Sequence, residues 1–305
     1  MTRPRISIVT PSYNQGRYLE ETIRSVHDQA YPNLEHIIID GGSTDESVDV
    51  IRRHAPRLAY WVSEKDAGQA DALNKGFALA TGEIFGFINS DDLLEPGALE
   101  RVAVRFERGA RWVTGNVRCF GEGRPDEILH VRRIDEGRAD ARAQWLGRSV
   151  VWQQGSFWSG EFTRSLGAFR TDLNFVFDWE FWLRIRLRAG VIPDVADDVL
   201  GAFRLHEDSK TMSRSDRFEP ELARIRREYR SGLSPRERFL ARMLERRCVA
   251  DYLQSRSVRN AKSGRRRAAL ADVGRSLAAW PPVACTRRTL GALRLIASSP
   301  RGERP

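Results

Sequence analysis

Ile84-Phe85-Gly86-Phe87-Ile88-Asn89-Ser90-Asp91-Asp92 is the stretch on which the reading of this chain turns. Its first five residues are apolar without alternation, the pattern of a strand buried on both faces in a sheet covered by helices. The run then breaks into two adjacent carboxylates, which continue a strand poorly, so Asp91 and Asp92 are expected just past its C-terminal edge. In open α/β sheets that edge is where ligands bind. Two neighbouring like charges repel each other, and a divalent cation would relieve the repulsion. The plainer alternative is a solvated turn that caps the next helix.

Working outward, β-branched and apolar runs predict strands over 6–10, 36–40, 59–63 and 111–116. Helical spacing predicts helices over 18–30, 47–54, 69–80 and 96–108 between them. This alternation of strand and helix argues for an α/β fold with a mostly parallel, Rossmann-like central sheet and helices on both faces. The first turn carries no G-x-G-x-x-G and the chain has no P-loop, which argues against a nicotinamide enzyme or a P-loop ATPase. Ligand contacts are therefore expected from side chains at strand ends: Thr10, Asp40, Asp91 and Asp92.

The 305 residues suffice for one large core or two modest ones. No run of 18 apolar residues occurs, and residues 1–5 lead into a strand without an apolar signal region. Three widely spaced cysteines, Cys119, Cys248 and Cys285, form neither a disulfide framework nor a zinc pattern, so a reduced, cytoplasmic protein is expected. The net charge of +9 is uneven: residues 231–305 hold 17 Lys and Arg against 5 Asp and Glu, a net of +12, and the rest carries −3. A basic tail of this kind suits an anionic membrane surface, nucleic acid, or solubility alone.

Five motifs then occur in order: SIVTPSYN (7–14), HIIIDGGSTD (36–45), GQADALNKGF (68–77), NSDD (89–92) and DWEFWLR (178–184). Together they resemble a family 2 glycosyltransferase, an inverting enzyme of the nucleotide-sugar-binding GT-A fold, over roughly residues 5–212. The resemblance implies a donor-binding half at 1–115 and an acceptor-binding, catalytic half at 116–215. A basic helical C-terminal extension follows at 216–305.

What the resemblance implies for single residues agrees with their chemistry. Thr10, Pro11, Tyr13 and Asp40 match positions that hold the base and ribose; Tyr13 offers a stacking face and Asp40 an acceptor, unless Asp40 merely begins the Gly41-Gly42 turn. Gly68, Gln69, Asp71 and Asn74 open a helix whose amides suit an anionic or polyhydroxyl ligand, although Asp71 is equally a first-turn helix acid. Asp91 matches the second acid of the family's D-x-D pattern and is the expected ligand of Mn²⁺ or Mg²⁺, with Asp92 beside it. Asn89 replaces the first acid and, with Ser90, stays on the donor side. His206, in an Arg-x-His loop, completes the metal or diphosphate site unless it is structural. Arg204, Ser209, Lys210 and Thr211 offer donors to phosphate.

Inverting transfer needs a base for the acceptor hydroxyl. Asp178 matches that position, with Phe177 where a preceding acid often stands, and Glu180 is the runner-up; the plainer alternative, stronger for Glu180, is that both are first-turn helix acids. Trp152, Gln153, Gln154 and Trp158 suit an acceptor wall of aromatic faces and amides, with core packing as the alternative. The expected partners are a nucleotide-sugar donor, by family frequency UDP-linked, and a glycan or lipid-linked acceptor in cell-surface polysaccharide synthesis. The tail is expected to hold the enzyme at the inner membrane face, and no nucleic acid is expected. A nucleotide-sugar-binding protein without activity, a nucleic-acid-binding protein and a nucleotidyltransferase are the competing readings.

Overall fold

The computed structural model describes residues 3–122, 125–134, 142–147, 151–210, 217–282 and 286–298. Thr211 and Cys285 lie outside them. The chain divides into two compact units, one of Met1–Arg142 with Ser149–Glu228 and one of Ala143–Arg148 with Tyr229–Pro305.

The first unit opens as β1 (Ile6–Ser12), α1 (Gly16–His27), β2 (Leu34–Asp40), α2 (Ser47–His54), β3 (Tyr60–Ser63), α3 (Gln69–Leu79) and β4 (Ile84–Phe87). It continues through β5 (Leu93–Leu94), α4 (Ala98–Glu107), β6 (Trp112–Gly121) and β7 (His130–Arg132). After the short α5 (Arg142–Gly147), which from Ala143 on belongs to the second unit, come β8 (Ser156–Ser159), α6 (Gly160–Leu166), α7 (Phe177–Leu183), β9 (Asp194–Leu205) and α8 (Phe218–Arg230).

The sheet order is β3-β2-β1-β4-β8-β6-β9-β5, with β7 on β6. The first four strands are parallel, in keeping with the mostly apolar runs of β1, β2 and β4. Past β4 the sheet becomes mixed: β8 inserts antiparallel between β4 and β6, and β5 pairs antiparallel with β9. No local pattern distinguishes a short strand such as Ser156–Ser159 that joins the sheet late in the chain.

Helices cover both faces. Leu19, Ile23, Ile38, Val50 and Ile51 form one apolar cluster, while Ile6, Ile8, Ile84, Ile88, Val102, Val113 and Leu200 belong to another. Strand β1 runs two residues further than its proline suggests. Pairing with β4 ends at Val9, so the N–H missing from Pro11 falls where no ladder bond is required. Gly76 lets α3 lie close on the sheet, since a β-carbon there would collide with Val9.

The second unit contains α9 (Pro235–Lys262), α10 (Arg266–Ala279) and α11 (Arg287–Ser298). Helix α9 starts at a capping box, in which Ser234 accepts from the Glu237 amide and Glu237 from the Ser234 amide, with proline in the first turn. The expected apolar face through Phe239, Leu240, Met243, Leu244, Cys248, Tyr252 and Leu253 is only partly buried. Phe239 is 63% and Leu240 44% exposed. The face that packs carries small residues, Ala250, Ser257 and Ala261 on α9 and Ala269 and Ser276 on α10, which allow close helix approach. Helix α8, expected in the extension, belongs through Glu228 to the first unit.

Candidate active site

The turn after β4 carries Asn89, Ser90, Asp91 and Asp92 to the C-terminal edge of the parallel strands. Because β5 follows at once and pairs with β9, the end of β9 is drawn beside this turn. His206, the residue after β9, places Nε2 2.9 Å from Asp91 Oδ2. The imidazole is fully enclosed and packs on Tyr18, ring centroids 4.7 Å apart, whereas the Asp91 side chain keeps 17% of its surface.

The two acids of the pair have different work. Asp92 is buried and accepts from Gln154 Nε2 at 2.8 Å, the Arg204 amide at 3.0 Å and Asn89 Nδ2 at 3.2 Å. Burial and then the charge of Asp91 push its carboxyl well upward, against the pull of these donors. Its oxygens are committed to the protein, so Asp92 braces the turn, and the expectation that it ligates metal is corrected. Arg204 is also a brace: it donates Nε to the Asp91 carbonyl at 2.8 Å and pairs with Glu21 at 2.7 Å, with no surface for phosphate.

Gln153 and Gln154, expected in the acceptor wall, face inward instead. Gln153 donates to the Phe87 carbonyl and accepts from Asn89 Nδ2 at 3.3 Å. Gly201 makes the room, because a β-carbon there would strike Gln154. Trp158 is fully buried among Phe77, Phe87, Phe169, Phe181 and Trp182, its indole N–H donated to Thr163, so it is core. Trp152 is half-buried, packed near Val117, Cys119 and Phe203 beneath the Arg132 guanidinium.

On the donor side Asn89 Oδ1 accepts from Gln69 Nε2 at 2.7 Å, and Gln69 Oε1 accepts from Lys210 Nζ at 2.9 Å. Lys210 Nζ also lies 3.5 Å from the carbonyl of Asn174. One chain of contacts thus joins the Asp91 turn to the loop ahead of α7. Gly68 holds a left-handed φ of +113° before α3, and Asp71 accepts the Ala67 amide at 3.1 Å, the first-turn role weighed for it. Asn74 exchanges two 2.8 Å bonds with the backbone of Phe169, which corrects its expected ligand role.

Thr10 and Asp40 are likewise turned inward. Thr10 Oγ1 lies 3.0 Å from His36 Nε2, and His36 Nδ1 lies 3.1 Å from His27 Nε2. Asp40 accepts from the amides of Gly42 and Ser43 and the hydroxyls of Ser43 and Ser63, so it anchors the Gly41-Gly42 turn. Pro11 is buried and Ser90 nearly so, whereas Tyr13 is 62% exposed and presents an open aromatic face.

At the start of α7, Asp178 is half-buried, and its Oδ1 accepts the Trp179 amide at 2.7 Å. Burial pushes its carboxyl up to about 6; the amides of Trp179 and Asp178 and the charge of Lys210 hold it back from rising further. Glu180 is buried and paired with Arg184 at 3.0 Å, and Arg184 also donates to the carbonyls of Leu166, Gly167 and Ala168. Glu180 is therefore structural, which corrects its candidacy as base.

Among the described residues no group of three or more His, Cys, Asp or Glu could hold a metal ion. The donor set at Asp91 and His206, one carboxylate oxygen and one imidazole nitrogen facing each other, still fits a cation that takes its remaining ligands from water and phosphate, as Mg²⁺ and Mn²⁺ do. The buried Nδ1 of His206 has no partner among the described residues, whereas Nε2 carries a proton to donate to Asp91 and would present its lone pair to a cation only on giving that proton up.

The family model described as Glycosyl transferase family 2 matches residues 7–164. An uncharacterized glycosyltransferase of Mycobacterium tuberculosis is 33% identical over 186 residues, covering 60% of this chain and 70% of that protein. A Bacillus subtilis protein assigned to teichuronic acid biosynthesis, TuaG, is 34% identical over 134 residues, 42% of this chain and 53% of TuaG. Among solved structures, a mannosyltransferase of Pyrobaculum calidifontis in complex with GDP-Man and Mn²⁺ aligns with a TM-score of 0.62 at 22% identity, over 97% of this chain and 86% of that one.

Proposed function

The chain belongs to glycosyl transferase family 2, an inverting glycosyltransferase family of GT-A fold, and on that premise we propose that it moves a sugar from a nucleotide-sugar donor, UDP-linked by expectation, to a hydroxyl of a glycan or lipid-linked acceptor. The observation that carries this reading is the linkage of two chemistries. The Asp91–His206 pair connects through Asn89, Gln69 and Lys210 to the loop that precedes Asp178, a carboxyl set near 6.

In this reading Asp91 and His206 hold Mn²⁺ or Mg²⁺, which when bound neutralises charge on the leaving diphosphate. Tyr13 stacks the base, Gln69 and Asn89 orient donor hydroxyls, and Lys210 adds positive charge beside the diphosphate. Asp178 takes the proton of the acceptor hydroxyl as its oxygen bonds to the anomeric carbon. The bond to diphosphate breaks on the opposite face, which inverts the configuration. The P. calidifontis enzyme's GDP-Man and Mn²⁺ support the metal and keep GDP donors in the test. The resemblance to TuaG, assigned to teichuronic acid biosynthesis, supports a place in cell-surface polysaccharide synthesis. Release of nucleoside diphosphate from UDP-, dTDP- and GDP-sugars, with Mn²⁺ or Mg²⁺ and then EDTA, tests the reading. A glycolipid fraction serves as acceptor. Metal-dependent release from one donor is the expected result, and no release from any donor overturns it.

No helix among the described residues is long and apolar enough to cross a membrane. The membrane contact proposed for the basic unit falls instead on exposed Phe239 and Leu240 beside exposed Arg236, Arg242 and Arg246 on α9. Salt-sensitive sedimentation with vesicles containing anionic lipid, weakened by Phe239→Ser, is expected; sedimentation equal to that with neutral vesicles overturns it.

A further inference from the structure

Helix α8 lies beyond the residues that the family model matches, yet it holds the loop from which α7 starts. Glu221 Oε1 accepts the Asn174 amide at 2.9 Å, and Oε2 accepts the amides of Phe175 at 2.9 Å and Val176 at 3.3 Å. Three consecutive N–H groups therefore converge on one carboxylate, the strong charge-assisted form of hydrogen bond. The gripped backbone leads directly into the catalytic turn: the Val176 carbonyl accepts the Glu180 amide at 2.9 Å, and Asp178 lies between the two.

The rest of α8 strengthens the same attachment. Arg224 donates to the Asp172 carbonyl at 3.0 Å and to its carboxylate at 2.9 Å. Arg170 joins Asp172 to Glu228, and the Phe218 ring lies 5.0 Å from that of Phe175. The backbone of Asn174 is thereby held at both its groups, its N–H by Glu221 and its carbonyl facing Lys210.

We propose that Glu221 is a positioning residue for transfer, fixing the 174–176 backbone so that Asp178 meets the acceptor hydroxyl. This rests on the reading of Asp178 as the base. Small displacements of a catalytic group are costly in rate because the reacting atoms must start close to contact distance. Glu221 touches neither donor nor acceptor in this scheme, so its loss should appear in kcat and not in donor binding.

The test compares wild type with Glu221→Ala, Glu221→Gln, Asp178→Asn and the Glu221→Ala/Asp178→Asn pair, using the donor and acceptor fraction that support turnover. Glu221→Ala should lower kcat by about 10- to 100-fold, with the Mn²⁺-dependent affinity for nucleoside diphosphate unchanged within about twofold. The acid limb of its pH–rate profile should move down, because a loosened loop admits water to Asp178. Glu221→Gln keeps one acceptor oxygen but turns an amide N–H₂ toward the remaining backbone N–H groups, so it should lower kcat by a smaller factor than Glu221→Ala and reports on the loop even if Glu221→Ala folds poorly. In the Asp178→Asn background Glu221→Ala should cost nothing more, since it acts through that residue. Near-wild-type kcat and an unmoved acid limb in Glu221→Gln and Glu221→Ala, with Asp178→Asn inactive, would overturn the proposal alone. Full turnover in Asp178→Asn would instead overturn the reading of the base.

Discussion

His206 Nε2 and Asp91 Oδ2 stand 2.9 Å apart although 115 positions separate them in the chain. The antiparallel pairing of Leu93–Leu94 with Ala202 and Gly201 brings them together. In the proposed scheme this carboxylate and imidazole supply half of a cation site, and the oxygens of a bound diphosphate the other half.

Asp91→Asn and His206→Ala should therefore each abolish Mn²⁺-dependent binding of nucleoside diphosphate, and EDTA should do the same to wild type. Calorimetric titration of nucleotide with and without metal checks this. Binding that neither substitution nor EDTA changes would remove the cation from the scheme.

Asp178 titrates near 6, above an ordinary aspartate, because burial disfavours its charge. As the proposed base, Asp178 must be ionised to act, so kcat should rise with pH through about 6 and level off above it. Asp178→Asn should lower kcat by at least about 100-fold while leaving donor binding in place. The stability consequence has the opposite sign. The unfolded chain loses this proton at lower pH than the folded one, so Asp178 costs stability as pH rises from about 4 to about 6. A higher Tm for Asp178→Asn at neutral pH is expected, and an unchanged or lower Tm would argue that the carboxylate is not desolvated.

Glu180 separates structure from chemistry within the same helical turn. It is 2% exposed and paired with Arg184, which also donates to three backbone carbonyls. Glu180→Ala leaves that guanidinium uncompensated and should cost about 3–5 kcal/mol in denaturant unfolding. Wild-type stability with lost turnover would return Glu180 to the list of bases.

The imidazoles of His27 and His36 should make the first unit acid-sensitive. Burial holds His27 down to about 4 and His36 well below its ordinary value. Between about 6.5 and about 4 the unfolded chain takes up protons that these rings refuse, so stability should fall as pH drops through that window. Scanning calorimetry across the window measures it, and His27→Gln should flatten part of the slope.

Much of this protein was legible before any coordinates. The mostly apolar runs over 6–10, 36–40, 59–63 and 84–88, each followed by a polar turn and a helical pattern, identify parallel strands, because a strand in a sheet covered by helices is rich in apolar residues on both faces. The ordered motifs identify the family for a related reason: each is local, and the distance of a residue from its own strand end is written in the chain. Asp91 and Asp178 could be named as candidates on that basis.

Which polar groups face outward was not local, and only the tertiary structure decided it. Asp91 and Asp92 are neighbours in sequence, yet Gln154 and the Arg204 amide, distant along the chain, turn one inward and leave the other partly exposed. The same holds for Gln153, Trp158 and Asn74, whose residue types suit a sugar as well as they suit a buried carbonyl or an aromatic core. Glu221 and β8 escaped the sequence because an acid in a first helical turn and a four-residue strand carry no pattern of their own. A buried polar group must find a partner. Sequence by itself determined which groups could bind, and packing decided which were already satisfied.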